Sequence, residues 1–521
     1  MNSESRFVKS DISFIGSSIS SSFTLVHFLN NIESKELRKP LSITIIDKYP
    51  EFNKGIPYGS RSGRSVLLIT SLKNFLPEPE LSKFLDWLQS NKEEVLEKFR
   101  KEGGCLSTQW LQNNELKIKN NQWEDLFIPR SFFGAYIDEK VSQSIKKAEK
   151  KGIAKFHQIN DEAIDLEFQK GCYRIRCKKN KEIDSQKIVL SVGSLPVRYL
   201  WKNQNCVEKE DFIFINNPYN PNLPEVLAKI KNIVKKRKEK ETNALIVGAN
   251  ASGLEMLYKL NDDHDLSSGI NHFTMLSTLG LSPDSLIDKE KLKRYSPSNL
   301  YALQDHEELT AKMIADATFA DLYKADEIEL GAASTVDIIS SAFGSLLNRL
   351  DTSELKKFAC YYGNEIGRRQ RCAGYHYSKT IESLTNENKF EHLAGRFDTI
   401  IDDKNGNHYL SYLDMKSKEL KKYNTPYHII VNCVGSTNFF EDNIPLILQN
   451  IIKKGYATPN ESKIGFDVNE SLESRENLHI MGPLLAGNIF EGKAVWHVEH
   501  CGRIIWLSQL LAKKLQEFDY N

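Results

Sequence analysis

Two stretches of this sequence, far apart along the chain, start in the same way, and together they narrow the folds open to it more than any other feature. In the first, the short apolar run SDISFIG ends at Gly16 and passes into SSSFTLVHFLNNI, where Phe23, Val26 and Leu29 fall on one helical face; the β-branched run SITIID then closes at Asp47. In the second, NALIVGANASGLEMLYKL at residues 243–260 turns from strand to helix at Gly248 and is followed by the short strand HFTMLS. Strand, tight turn, helix, strand is the opening of a βαβ unit. Two such openings predict an α/β chain with parallel sheets.

Both turns can be compared with G-x-G-x-x-G, the pattern that carries a dinucleotide pyrophosphate. Its first glycine allows the tight turn, the second lets backbone approach the phosphates, and the third lets helix and strand pack closely. The second turn keeps Gly248 and Gly253, with Asn250 between them and Ser252 beside it; the first keeps Gly16 and places Ser18 and Ser21 at the other two positions. Serine adds a Cβ and a hydroxyl, losing closeness but supplying donors where the helix dipole already favours an anion. It is also a good N-cap, so a capped structural helix without ligand is the plain alternative. Asp47 ends its strand where a dinucleotide fold places an acid on a ribose hydroxyl. Its spacing from Gly16 is longer than usual, which the polar segment ESKELRKP accounts for. Two further buried-strand runs, IVLSVGSLP and YHIIVNCVGS, end at Gly193 and Gly435. Alone each glycine is a strand-end turn; with the two fingerprints they read as chain crossings between two nucleotide-binding units. The fold class is therefore α/β, with two Rossmann-like dinucleotide-binding domains.

The chain has 521 residues, 40% of them apolar, enough for about two or three domains. Seventy basic and 69 acidic side chains leave a net charge of +1, which gives no field to draw nucleic acid or an anionic membrane. The charge run KIKNIVKKRKEKET is offset by nearby acids and reads as a helix end or linker. Eight cysteines form neither a C-x-x-C pair nor a zinc spacing, which suits a reducing cytosol and predicts no metal site. No apolar run approaches the ~20 residues that span a bilayer, and MNSESRFVKS lacks the apolar stretch of a signal peptide. The expectation is a soluble, cytoplasmic protein with no nucleic-acid or membrane partner, self-association being left open. Residues 284–388 differ in kind: EELTAKMIADATFADLY, TVDIISSAFGSLLNRL and YSKTIESLTN have helical spacing and few glycines, and predict a mostly helical insertion. FEHLAGRFDTII and NHYLSYLDM then alternate like strands of a small antiparallel meander.

Several blocks resemble one family in the same order. They are KGIPYG (54–59), LPEPELSKFLDWL (76–88), FIPRSFFGAYI (127–137), the VLSVG strand, GRRQRCAGYHYSKTIESL (367–384), VNCVGS (431–436), GYATPNESKIGFDV (455–468) and NLHIMGPLLAGNIFEGKAV (477–495). This order is similar to the FAD/NAD(P)-binding family of flavin-dependent N-hydroxylating monooxygenases, which includes an L-aspartate N-monooxygenase that forms nitrosuccinate. The resemblance implies FAD on the first fingerprint and NADPH or NADH on the second. Carried over residue by residue, Gly16, Ser18 and Ser21 would face the FAD pyrophosphate and Asp47 its ribose, while Gly248, Asn250, Ser252 and Gly253 would cradle the nicotinamide nucleotide. Arg130 would lie near the flavin, a surface ion pair being the alternative; Gly482 and Pro483 would sit beside the isoalloxazine, a simple strand-to-helix turn being theirs. The implied domains are 1–235 (FAD, first part), 240–283 (NAD(P)H, first part), 284–388 (helical insertion, substrate region), 389–428 (NAD(P)H, remainder) and 429–521 (FAD, C-terminal part).

The implied chemistry uses NAD(P)H and O₂ to N-hydroxylate, or further oxidise, the amine of a small amino-acid-like substrate through a C4a-hydroperoxyflavin, without a catalytic side chain or a metal. Arginine forks suit a carboxylate, so Arg368, Arg369 and Arg371 are the candidate substrate residues, against a solvated helical face. His376, with Tyr375 and Tyr377 beside it, reads more readily as packed than as a general base, and His497 and His500 carry still less signal. Three departures from the family pattern stand out, the first being the serines of the first fingerprint. Ser277, Thr278 and Leu279 follow the second strand of the NAD(P)H unit where relatives often carry arginines, which leaves NADPH against NADH open; Trp496-His497-Val498-Glu499 stands where relatives tend to continue Pro-Glu-Ile-Arg. The rival readings are a flavin oxidoreductase with another acceptor, or a non-catalytic relative with weakened FAD binding.

Overall fold

The structure, a computed structural model, describes residues 7–237, 240–283, 285, 287–441 and 443–517. The first six residues of the segment compared with a signal peptide, two residues of the charge run, two at the start of the expected insertion, residue 442 and the last four residues lie outside the described residues. As the sequence predicts, the architecture is α/β; it has two eight-stranded sheets and a small hairpin of Asn488–Phe490 with Lys493–Val495, and the chain enters the second large sheet before returning to the first.

The first sheet is built on β1 (Phe7–Ile15), β2 (Leu41–Asp47) and β3 (Ala154–Asn160), with β4 (Ala163–Gln169) and β5 (Cys172–Cys177) forming a hairpin that leads into β6 (Glu182–Leu190). The second sheet contains β7 (Cys206–Glu208), β8 (Ile213–Ile215), β9 (Asn243–Val247), β10 (His272–Ser277), β11 (Phe390–Asp402), β12 (His408–Asp414), β13 (Leu420–Lys422) and β14 (Ile429–Asn432). The chain then completes the first sheet with β15 (Glu473–Arg475) and β16 (Leu478–Ile480). The parallel cores have matching order: β16-β6-β1-β2-β3 in one and β8-β14-β9-β10-β11 in the other. Their central strands are buried on both faces, from Ile12, Phe14, Ile43, Ile45, Ile188 and Val189 to Leu245, Ile246, Met275, Ile430 and Val431, which is why they read as continuous apolar runs rather than alternating ones.

This order moves three expected boundaries. β14 pairs in parallel with β9 and β8, and so belongs to the second sheet rather than to the C-terminal part of the first from residue 429. β7 and β8, expected before residue 235 in the first domain, are also in the second sheet. The physical reason is that each glycine-turn strand needs a parallel neighbour on both sides, and a fully buried run carries no mark of which sheet it will join. The helix Tyr375–Asn386, expected within the insertion, instead packs on the second unit: Tyr377 lies 5.5 Å from Tyr258, ring to ring, and Ala373, Tyr377 and Leu384 join the main core. It is the crossover that returns the chain to β11, parallel to β10.

The remaining insertion has its own core around Leu300, Ile314, Leu322, Ile339, Phe343, Leu346, Phe358 and Ile366, built mainly from the helices Ala311–Glu327 and Ala332–Leu347. Trp496 from the C-terminal segment plugs this core. Its ring lies 5.6 Å from that of Phe358, within a π-helical turn (Phe358–Tyr362), and a Cβ added at Gly363 would fall 2.5 Å from its Cγ. Among the described residues no helix is long and apolar enough to cross a membrane.

Candidate functional site

The two glycine turns have the same construction. Gly16 has φ +97°, donates its N–H to the Ile46 carbonyl at 2.8 Å, and lies so close to the end of β6 that an added Cβ would be 2.3 Å from the Ser191 carbonyl oxygen. Gly248 has φ +112°, donates to the Leu276 carbonyl at 2.8 Å, and an added Cβ would be 2.5 Å from the Cys433 carbonyl oxygen. Each is thus pinned by the strand following its helix and by the crossing strand, in a backbone region open to glycine.

Each turn opens a helix: Ile19–Ile32 after Ser18, and Ala251–Asp262 after Asn250. Ser18 and Asn250 occupy the N-cap positions, yet neither side chain makes a capping bond. The first amides of both helices therefore remain as donors without side-chain partners, the arrangement that receives an anionic group. In the first unit this removes the plain alternative of a serine-capped helix. Ser21 differs from the expectation: its hydroxyl turns inward to the Gly16 carbonyl and the Ser191 hydroxyl, so it ties the turn to the crossing strand and presents no donor outward. In the second unit, a Cβ at Gly253 would be 2.0 Å from the Gly248 carbonyl, and glycine is kept.

Asp47 accepts from the Ser17 N–H at 2.7 Å and from the Tyr49 N–H at 2.9 Å. Burial raises its carboxyl above the usual range, against the opposing pull of these two bonds and of Lys48 and Arg61. Arg61, which the sequence reading missed, is only 8% exposed; it lies with its guanidinium 3.6 Å over the Tyr49 ring, bonds the Tyr219 and Pro221 carbonyls, and leaves Nη1 buried without a partner among the described residues. The only sequence signal was a basic residue in the Gly/Ser-rich turn after KGIPYG. Gly482 has φ +87° and an added Cβ would be 2.9 Å from Ser20 Oγ, so Gly482 and Pro483, which starts a single 3₁₀ turn, lie against the first helix near its N-terminus. Gly193 has φ +85°, whereas Gly435 has no left-handed backbone. The two crossing segments do meet: Val197 bridges Ser436, and Thr437 donates to the Pro196 carbonyl at 2.8 Å. These glycine cradles, open amides and the acid at Asp47 fit a dinucleotide in the first unit.

Arg130 makes an ion pair, the alternative that the sequence offered, but a buried one rather than one at the surface. From the start of the helix Arg130–Lys150 it makes a bidentate pair with Glu255 of the second fingerprint helix, at 2.7 and 3.0 Å, and the Tyr219 hydroxyl donates to the same carboxylate at 2.6 Å. Burial opposes the Arg130 charge most strongly of any single influence, but Glu255 together with Tyr219, Tyr377 and Tyr58 outweighs it and holds the guanidinium above the usual arginine range. Further along the same helix, Asp262 accepts from the Ser107 N–H at 2.8 Å and pairs with Lys259, whose ammonium also reaches Ser65. The second unit's fingerprint helix is thus bolted to the first unit.

The three candidate substrate arginines diverge. Arg369 pairs with Asp326, Arg371 approaches Glu499 at 3.8 Å, and Arg368 is exposed. His376 is packed against Tyr377, 3.9 Å between rings, and burial lowers its pKa to about 3. At the end of β10, Ser277 bonds His392 at 2.8 Å.

Residues 14–195 match the family described as FAD-NAD(P)-binding. Uncharacterised proteins of Mycobacterium tuberculosis and Mycobacterium bovis are each 27% identical over 511 residues, covering 97% of this chain and 95% of the relative. Among solved structures, the reduced form of ornithine hydroxylase from Pseudomonas aeruginosa aligns with a TM-score of 0.55 at 12% identity, over 98% of this chain and 100% of that one. L-lysine 6-monooxygenase from Pseudomonas syringae gives 0.54 at 11%, over 98% and 99%. The cadaverine monooxygenase of desferrioxamine biosynthesis from Erwinia amylovora, bound to FAD, gives 0.53 at 12%, over 98% and 95%. Residues 14–195 therefore resemble an FAD-NAD(P)-binding domain, and the whole chain has the fold of these ornithine, lysine and cadaverine oxygenases.

Proposed function

We propose that the protein is an FAD-dependent monooxygenase that uses NADPH and O₂ to hydroxylate the amine nitrogen of a small amino-acid-like substrate. The observation that carries this reading is the pairing of the turns: two glycine cradles of one construction, each opening a helix with uncapped first amides, in a chain that has the monooxygenase fold over its whole length. Gly16, Ser18 and the amides beginning the first helix would hold the FAD pyrophosphate, with the spare lone pairs of Asp47 on the ribose and Gly482 and Pro483 toward the ring. Gly248, Asn250, Ser252 and Gly253 would hold the NADPH pyrophosphate. FAD held there would supply the redox chemistry, with NADPH as reductant and O₂ as oxidant. The protein's part is positioning: the Arg130–Glu255, Lys259–Ser65 and Asp262–Ser107 contacts fix one nucleotide unit against the other, and the insertion, plugged by Trp496, would keep water from the flavin.

The test begins with the absorption spectrum of the purified protein. A colourless preparation that takes up no added FAD would remove the enzyme reading. A yellow one is assayed for NADPH and NADH oxidation with free amino acids and diamines; substrate-stimulated oxidation with a hydroxylamine, oxime or nitroso product supports N-hydroxylation, and peroxide alone with every amine counts against it.

A further inference from the structure

One cation in this molecule has no counter-ion where the fold makes it most in need of one. Arg503 lies in the first turn of the helix Cys501–Gln516, the positive end of the helix dipole. Its guanidinium is stacked 4.2 Å over the Trp496 ring and donates from Nη1 to the His497 carbonyl at 3.0 Å. No carboxylate among the described residues pairs with it. Beside it, the His497 imidazole is held neutral by burial, its pKa lowered to about 3, and Nδ1 is buried without a partner. Arg371, the one candidate substrate arginine near this point, adds a second positive charge, offset only by Glu499 at 3.8 Å. Burial with no opposing acid pulls even the Arg503 guanidinium down, to about 10. A half-buried, unpaired guanidinium at a helix N-terminus is unfavourable until an anion arrives.

We propose that Arg503 is the receptor for a carboxylate on the substrate, with Trp496 fixing the guanidinium plane, so that the protein selects amines carrying an acid group over simple diamines. This rests on the monooxygenase reading for the word substrate, but the anion site itself does not. The position fits the chemistry: Trp496 joins the insertion to the C-terminal segment, and helix Cys501–Gln516 packs along the first fingerprint helix, where the Ser508 hydroxyl reaches the Ser20 carbonyl. A fork held flat against an indole can bind a carboxylate through two parallel N–H donors, which an ammonium cannot.

The experiment is calorimetric titration of the purified full-length protein, with saturating NADP⁺, against L-aspartate, L-ornithine, succinate and 1,4-diaminobutane, the last being ornithine without its carboxylate. Wild type is expected to bind at least one carboxylate, and Arg503→Gln to weaken it between about tenfold and a hundredfold, the range for a charge-assisted bond. Arg503→Lys should recover part of the loss, and diaminobutane should bind both proteins alike. A merely structural role would weaken every ligand together and lower FAD retention, which is read from the flavin absorbance of the same samples. The proposal is overturned if Arg503→Gln binds the carboxylates within twofold of wild type, if diaminobutane loses as much, or if no carboxylate binds wild type at millimolar concentration. A protein that binds carboxylate through Arg503 but takes up no FAD keeps this site and loses the monooxygenase reading.

Discussion

The Arg130–Glu255 pair offers the most direct measure of how firmly the two nucleotide units are joined. Arg130→Met removes both donors and leaves the Glu255 carboxylate, whose side chain is 3% exposed, with only the Tyr219 hydroxyl at 2.6 Å. Removing one partner of a buried pair costs about 3–5 kcal/mol, because the remaining charge is stranded. Arg130 itself is 15% exposed, so water reaches the pair from one side and the expected loss falls near the lower end, about 3 kcal/mol. Glu255→Leu strands the guanidinium instead and should cost a similar amount. The double variant strands no charge, only the Tyr219 hydroxyl; it should be no less stable than the worse single, a coupling of at least about 3 kcal/mol. Urea unfolding followed by far-UV circular dichroism and tryptophan fluorescence gives the four stabilities. Single variants within about 0.5 kcal/mol of wild type, or a double variant whose loss is the sum of the two, would refute the reasoning. If the pair also sets the distance between the nucleotides, Arg130→Met should slow NADPH-driven flavin bleaching in a stopped-flow instrument while leaving FAD retention intact.

Three shorter expectations follow from the same contacts. Gly16→Ala forces a Cβ to 2.3 Å from the Ser191 carbonyl and should abolish FAD uptake; Gly248→Ala, with its Cβ 2.5 Å from the Cys433 carbonyl, should retain the flavin spectrum and lose NADPH-driven reduction, and a reversed pattern would exchange the assignments. Burial holds His376 and His497 at about 3 and His392 and His428 at about 4, all below the free value of 6.5. Between pH 6.5 and these values the unfolded chain binds protons that the folded one does not, so stability is complete above pH 6.5 and falls on acidification, by up to about 1.4 kcal/mol per pH unit for each histidine. His376→Gln should flatten that slope in pH-dependent urea melts; an unchanged slope would show that the imidazole is protonated in the fold. Arg369→Ala breaks a contact with Asp326, whose carboxylate is half exposed, and should change stability by less than about 1 kcal/mol and leave substrate KM alone.

Both βαβ openings, the helical spacing of the insertion and the β11–β12 meander were legible because each is written in local periodicity and turn chemistry. What the sequence could not place was any relation between distant buried runs. VNCVGS and VLSVG look alike because β14 and β6 do the same work in different sheets, and nothing in either run says which sheet it joins. The same limit governed the site. Gly16, Ser18, Gly248 and Asn250 could be named from one turn each, whereas Glu255 looks from sequence like one more exposed acid on a helix. It is identified as a buried partner only when Arg130, far upstream, is brought against it. Arg503 was invisible for the complementary reason: what distinguishes it is the carboxylate it lacks, and an ion pair that is missing in space has no signature along the chain.

The serines of the first turn show how a degenerate fingerprint can keep its geometry. The three glycine positions have different duties, and only the first requires a backbone region closed to other residues. At the third, the second unit uses absence of a side chain, since a Cβ on Gly253 would fall 2.0 Å from the Gly248 carbonyl. The first unit meets the same carbonyl with a hydrogen bond: the Ser21 hydroxyl bonds the Gly16 carbonyl and the Ser191 hydroxyl, replacing close packing by a bonded bridge between helix, turn and crossing strand. That inward commitment divides the labour within FIGSSISSSF. Ser21 holds the cradle in shape, and the half-exposed Ser18, whose side chain makes no cap, is left with the backbone amides to meet the anion. A serine can therefore stand at the third position as an alternative fastening, provided its hydroxyl finds the carbonyl that a glycine would simply approach.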